Sequence, residues 1–289
     1  MFLKLKPSFY LLFMPLALWM LAFLVFPYVR VLIQSFYTTD DFGILQTTFS
    51  IGSYQRFFTK ELYYLTLLRT FGLAAVVTVV SLVVSIPLAY YIAFKATKNK
   101  TLLYTLIILP LWVSYIVRAY SWKIILGEAG ILNSFLQFIG LIDSPISMLL
   151  YSDLAVVIGM VHIYTPFVLM PIYTAFEQIP KSLVEASKDL GANRFITFFK
   201  IVLPLSLPGI ITGATFAFVL SLGDFLAPNL LGGSDTLFIS NIFQNMFGTS
   251  NDKPLGSAIG IVLLIVVLVV LEMSRWAENK YSSLDSDKR

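Results

Sequence analysis

The sequence predicts an all-α integral membrane protein with six transmembrane helices and both termini in the cytoplasm. Three observations predict it. The 289 residues are 58% hydrophobic and only 12% charged, about half the roughly 25% charge of a soluble domain. The apolar residues gather in runs of about 18 or more, enough for helices to cross a hydrocarbon core ~30 Å thick. Lys and Arg concentrate on alternate connections between those runs, the pattern of cytoplasmic loops.

The first span falls at about 8–30, after Lys4 and Lys6. Its apolar run is longer than the ~7–15 residues of a signal-peptide core, and no small-x-small cleavage pattern follows, so it reads as a retained span. Further runs place spans at about 67–94, 102–126, 153–176, 205–228 and 255–274. The last is the plainest, with unbroken Ile, Val and Leu from Ile261 to Leu271. Pro15, Pro87, Pro110, Pro166, Pro171 and Pro208 fall inside spans. A membrane bundle tolerates such residues because neighbouring groups satisfy the freed carbonyls, and the kinks suit a bundle that encloses a cavity. No internal repeat is visible, and residues 1–289 read as one transmembrane domain.

With the N-terminus inside, the inner segments hold Lys4 and Lys6, then Lys95, Lys98 and Lys100, then Lys181, Lys188, Arg194 and Lys200, then Arg275, Lys280, Lys288 and Arg289. The outer 31–66 segment, with Thr38, Thr39, Asp40 and Asp41 and several aromatics, offers a docking surface. The net charge of +4 is explained by this asymmetry and not by nucleic-acid binding. Without cysteine the chain has no disulfide, zinc cluster or thiol nucleophile.

The inner 177–204 segment is the most regular of the connections. Ser182 and Glu185 have capping-box spacing, which starts a helix at Leu183. Gly191 ends that helix in a left-handed turn. Asn193 caps a second short helix, which Pro204 interrupts before the fifth span. Leu183, Ala186, Ser187 and Leu190 share one face, whose small centre admits the close approach of another backbone.

Glu185-Ala186-Ser187, then Gly191, then Ile201-x-Leu203-Pro204 resembles the EAA loop of ABC-importer permeases (type I). Ser187 stands where alanine is usual, a small-for-small change. The resemblance implies that Leu183, Glu185, Ala186, Ser187, Leu190 and Gly191 couple the chain to an ATPase subunit. It also implies two such ATPases, a second permease subunit (by family habit a different chain), an extracytoplasmic solute-binding protein, and a place in the bacterial cytoplasmic membrane. The sequence has no G-x-x-x-x-G-K-[ST] loop to cradle phosphates. The chain is therefore expected to be a transport subunit and not an enzyme, with no cofactor, metal or catalytic residue of its own and ATP bound by its partner.

Stretches along nearly the whole chain resemble the spermidine/putrescine permeases. They include Ser35–Asp41, Leu109–Tyr120, Gly130–Asn133, Ile142–Ile146 and Leu222–Gly233. Polyamine chemistry asks for carboxylates and aromatic faces, with cation–π contacts of about 0.5–2 kcal/mol each. Asp224 lies toward the outer end of the fifth span, on the same side as Glu128, Asp143 and Asp153. Trp112, Tyr115, Tyr120 and Trp122 fall close together on the third span and complete a candidate substrate path with Asp224. Each has a structural reading too, because Trp and Tyr gather at membrane interfaces and Asp224 can cap a helix. Arg118, costly inside a span, is expected to pair with an outer carboxylate. His162 is expected to make an interhelical hydrogen bond.

Other solutes remain open within this class: another organic cation, an opine- or phosphonate-like compound, or iron. A secondary transporter would show a coupling-ion site or an inverted repeat. An intramembrane enzyme would show a constellation of reactive groups. The sequence displays neither.

Overall fold

The computed structural model describes residues 7–40, 44–96 and 98–286, with side chains described between residues 13 and 281. Lys4, Lys6, Asp41, Lys288 and Arg289 lie outside the described residues. Helix α1 (Pro7–Met20) runs through a π-helical turn (Leu21–Val25) into α2 (Phe26–Gln34). A two-stranded antiparallel hairpin follows, β1 (Thr38–Thr39) with β2 (Leu45–Gln46), then α3 (Gly52–Thr59) and the long α4 (Glu61–Phe94). Next come α5 (Lys100–Ile108), a 3₁₀ turn (Leu109–Trp112), α6 (Tyr115–Leu126), α7 (Ile131–Phe138) and α8 (Asp153–Gln178). The chain continues through α9 (Lys181–Asp189), α10 (Arg194–Thr197), a second π turn (Phe198–Val202) and α11 (Leu203–Gly223). It closes with α12 (Leu226–Leu231), α13 (Ile239–Phe247) and α14 (Lys253–Ser286).

Five described helices are long and apolar enough to cross a membrane: Phe13–Gln34, Glu61–Phe94, Asp153–Gln178, Arg194–Gly223 and Lys253–Tyr281. The third expected span is not one straight helix. Its two parts, Lys100–Trp112 and Tyr115–Phe138, are bent by 96°, and the count reaches six when the pair is one broken span. Pro110 lacks an N–H, and Val113 (φ −85°, ψ 134°) and Ser114 (φ −51°, ψ 140°) then take extended backbone that no helix continues through. The fifth span ends at Gly223, short of the expected 228, because Asp224 is also extended (φ −79°, ψ 119°) and starts a new direction into α12. Pro15, Pro87, Pro166, Pro171 and Pro208 all stay inside helices.

The chain divides into two compact units. One comprises residues 1–64 and 242–265. Fully buried Phe57 anchors it between the rings of Phe58 and Tyr63, with centroids at 5.0 and 6.3 Å. Arg56 pairs with Asp252 at 2.6 Å, and Asp252 also accepts the Leu255 N–H in the first turn of α14. In the outer-loop reading, Thr38 and Thr39 form β1, and Asp40 closes the hairpin tip by accepting the Ile44 N–H at 2.7 Å.

The second unit, residues 65–241 and 266–289, is organised around α8. One end of α8 buries Val156, Met160 and Ile163 with Leu126, Leu231 and Phe238; the other buries Leu169, Ile172 and Phe176 with Val202 and Ala217. Helices α8 and α11 lie unusually close. A methyl group on Gly209 would stand 2.5 Å from the Ala175 side chain and 2.6 Å from the Pro171 carbonyl, and one on Gly213 would stand 2.9 Å from the Val168 carbonyl. Small residues bring backbones together in this way where lipid gives no hydrophobic drive for association. Helix α11 is tied to α14 by polar contacts, Thr212 to Glu278 and Thr215 to Ser274, both at 2.8 Å.

Candidate functional site: a helix–turn–helix hook and a buried carboxylate

The 177–204 segment forms the expected hook, with two differences at its ends. Helix α9 begins at Lys181 behind Pro180, two residues before the expected start. Ser182 therefore lies in the first turn and makes no capping-box bond. Pro180 stands at the N-cap, where it has no side chain to accept, and its carbonyl takes the Leu183 N–H at 3.1 Å. At the other end, Pro204 does not interrupt the second helix. The π turn Phe198–Val202 carries α10 continuously into α11, with the Leu203 N–H reaching the Phe198 carbonyl. Pro204 then falls in the first turn of α11, where a proline is tolerated.

Between those ends the geometry is closed. Gly191 takes φ +80°, its N–H bonds to the Lys188 carbonyl at 2.8 Å, and the Ala192 N–H bonds to the Ser187 carbonyl at 2.9 Å. This is a Schellman ending. Asn193 caps α10 by accepting the Ile196 N–H at 2.9 Å. The Ser187 hydroxyl meets the Thr197 hydroxyl at 2.8 Å, both buried, and pins α9 to α10. Ser187 thus leaves the face it was expected to share. Leu183, Glu185, Ala186, Leu190 and Gly191 remain exposed, Leu190 by 89%.

Asp224 is only 7% exposed. One carboxylate oxygen accepts the hydroxyls of Tyr115 and, at 2.7 Å, Tyr164. The other accepts the N–H groups of Leu226 (2.9 Å) and Ala227 (3.2 Å) in the first turn of α12. The Ser240 hydroxyl and Asn241 amide then hold the carbonyls of Asp224 and Phe225. A carboxylate at a helix start complements its unsatisfied donors and dipole. Asp224 therefore joins α6, α8, α11 and α12 at one point.

The aromatic residues expected beside it are dispersed. Only Tyr115 touches Asp224. Trp112 lies across the break in the third span and is 83% exposed; Tyr120 is 48% exposed. Trp122 packs edge-on against His162 at 5.5 Å, and that ring contact replaces the hydrogen bond expected of His162. Arg118 makes no ion pair among the described residues. It donates to the Ile163 carbonyl at 3.2 Å, and its guanidinium lies 5.9 Å from the centre of the Tyr115 ring. Asp153 is bound by Arg69, both oxygens at 2.9 Å, and by Thr236 at 2.7 Å, so it is no free anion. Glu128 and Asp143 are exposed. Two residues were missed from sequence, Tyr164 and Thr197. A tyrosine hydroxyl in mid-span needs a buried partner, which was the available signal for the first; nothing local marked the second.

Several long apolar helices, with a helix–turn–helix hook in the chain between α8 and α11, are the architecture of a multi-pass membrane protein. Residues 85–282 match the family described as the binding-protein-dependent transport system inner membrane component, and the chain belongs to that family. It is a multi-pass inner-membrane transport subunit. The spermidine/putrescine transport system permease protein PotB of Salmonella typhimurium strain LT2 is 35% identical over 270 residues, which cover 92% of this chain and 93% of the relative. The inner membrane ABC transporter permease protein YdcU of Escherichia coli K12 is 36% identical over 250 residues, 82% of this chain and 79% of the relative. A bacterial alginate ABC transporter in complex with its pentasaccharide-bound periplasmic protein has a chain of the same fold, with TM-score 0.74 at 19% identity and 92% of each chain covered.

Proposed function

We propose that this chain is the permease subunit of an ABC importer for polyamines. In this reading residues 1–289 form one transmembrane domain, and segment 177–204 lies in the cytoplasm with both termini. The hook carries the reading. Gly191, Asn193 and the Ser187–Thr197 bond make it stiff, while Leu183, Glu185, Ala186 and Leu190 are left uncovered on its outer side. A stiff element with an exposed apolar and acidic face can transmit displacement from a neighbouring protein into α8 and α11, to which it is directly joined.

The neighbour is an ATPase that binds and hydrolyses ATP, present in two copies beneath this chain and a second, different permease chain. An external solute-binding protein delivers the cargo, and the spans alternate access across the bilayer. The 35% identity to a spermidine/putrescine permease over nearly the whole chain supports the polyamine assignment. Asp224, with its donors already supplied by two tyrosines and two backbone amides, acts on the path by holding α6 against α11. Tyr120 and Trp112, both exposed, are the aromatics available to a passing ammonium group.

The test is uptake of labelled spermidine by cells expressing the complete importer. Glu185→Lys and Gly191→Asp are expected to abolish uptake and weaken co-purification of the ATPase, with the permease still in the membrane. Normal ATPase association in both variants would overturn the coupling role. Separately, the cognate binding protein is titrated with putrescine, spermidine, an opine, a phosphonate and ferric iron. Failure of every polyamine would overturn the solute assignment alone.

A further inference from the structure

Two cavities meet where α4 leaves the bundle. The smaller, of about 130 Å³, is ringed by Lys95, Lys181, Lys188 and Arg194 with Glu185 as its single carboxylate. None of the four cations makes an ion pair among the described residues. The larger, of about 550 Å³, is apolar and lined by Ile86, Pro87, Phe195, Phe198 and Phe199. Tyr90, Lys95 and Arg194 border both, so a single molecule can occupy the two together. Phe195 and Phe199 are 76% and 59% exposed.

We propose that an anionic phospholipid occupies this place. Its phosphate sits among Lys95, Lys181, Lys188 and Arg194, and an acyl chain lies along Ile86, Pro87 and the Phe195–Phe199 rings. Charge selects the head: four cations against one carboxylate call for an anion, and Arg binds phosphate oxygens in a planar, two-pronged fashion. Depth selects the tail. Lys95 directly follows the last residue of the long apolar α4, and the cleft runs from there back to Ile86, about 13 Å into the span at ~1.5 Å per residue. A soluble protein does not reach that level, whereas a lipid does. Basic pockets between spans hold anionic head groups on the same grounds. The lipid then bridges the end of α4 to α9 and α10, adding to the Tyr90–Phe198 edge contact at 5.6 Å.

The full chain in detergent is titrated by native mass spectrometry with dioleoylphosphatidylglycerol, dioleoylphosphatidylcholine and glycerol 1-phosphate. Phosphatidylglycerol is expected to bind about tenfold more tightly than phosphatidylcholine, with no binding of glycerol 1-phosphate. The double variant Lys95→Gln, Arg194→Gln removes the preference, and Lys95→Arg with Arg194→Lys keeps it. Equal binding of the two lipids, or an unchanged preference in the glutamine variant, overturns the proposal. Binding of glycerol 1-phosphate as tight as that of phosphatidylglycerol also overturns it, in favour of a soluble anion. If the glutamine variant does not fold, phosphatidylglycerol with a photoreactive acyl chain decides on the unaltered protein. Cross-links within 195–199 and at 86–87 support the site, and cross-links only elsewhere overturn it. The measurement needs no ATPase or solute, so its outcome is separate from that of the transport reading.

Discussion

Gly191 owes its place to backbone geometry and not to crowding. Its φ is +80°, and no heavy atom lies within 4 Å of where a Cβ would stand. Gly191→Ala therefore meets no clash and carries only the left-handed strain, about 1–2 kcal/mol. Gly191→Asn, which tolerates that conformation, carries less. Thermal unfolding of the purified chain is expected to rank glycine, asparagine and alanine in that order, with uptake following the same order. Asp224 offers the opposite case, a side chain defined wholly by its partners. Asp224→Ala strands the Tyr115 and Tyr164 hydroxyls and two amides of α12, so a loss of ~3 kcal/mol is expected. The near-isosteric Asp224→Asn separates structure from transport. A structural carboxylate lowers the unfolding temperature in step with uptake, whereas a substrate ligand changes solute affinity at unchanged stability.

At the scale of elements, the contact between α8 and α11 leaves little room. Gly209→Leu would put a side chain where the Pro171 carbonyl and Ala175 already stand, and neither atom is the end of a flexible chain. The variant is expected to yield little folded protein by size-exclusion chromatography, while Gly223→Ala, whose Cβ meets nothing within 4 Å, yields normal amounts. The α9–α10 pair is held differently, through one hydroxyl–hydroxyl bond. Ser187→Ala is expected to lower stability by about 1 kcal/mol. A cycle with Thr197→Val should return that energy as coupling, because the two hydroxyls are 2.8 Å apart and both are buried. Additive effects of the two substitutions would show that the bond does not hold the hook closed.

For the molecule as a whole, orientation is the property on which the transport reading turns. The chain has no cysteine, so single cysteines can be introduced without background. A thiol at exposed Ser182 or Lys98 is expected to react with a membrane-impermeant maleimide only in inverted vesicles. One at exposed Thr48 should react only in right-side-out cells. Labelling of Ser182→Cys from the outside would place the hook away from any cytoplasmic ATPase.

Much of this was legible along the chain. Apolar runs located all but one of the spans, because a helix in lipid must be continuously apolar and satisfies its own backbone. Gly191 and Asn193 announced the hook because turn and cap chemistry acts within a few residues. What local pattern could not reach was which distant groups meet. The charge of Arg118 suggested a carboxylate partner, yet a backbone carbonyl of α8 serves it. Trp112 was separated from Tyr115, Tyr120 and Trp122 by two extended residues at Val113 and Ser114, and Ser187 was turned from the outer face by Thr197, ten positions on.

The sequence by itself determined the membrane class, most of the spans and the hook, since these follow from hydropathy and short-range backbone chemistry. Only the tertiary structure decided the 96° break in the third span, the four-way closure at Asp224, and the joining of a basic pocket to an apolar cleft below α4. The last two depend on residues tens of positions apart, and such groups find their partners only when the helices pack.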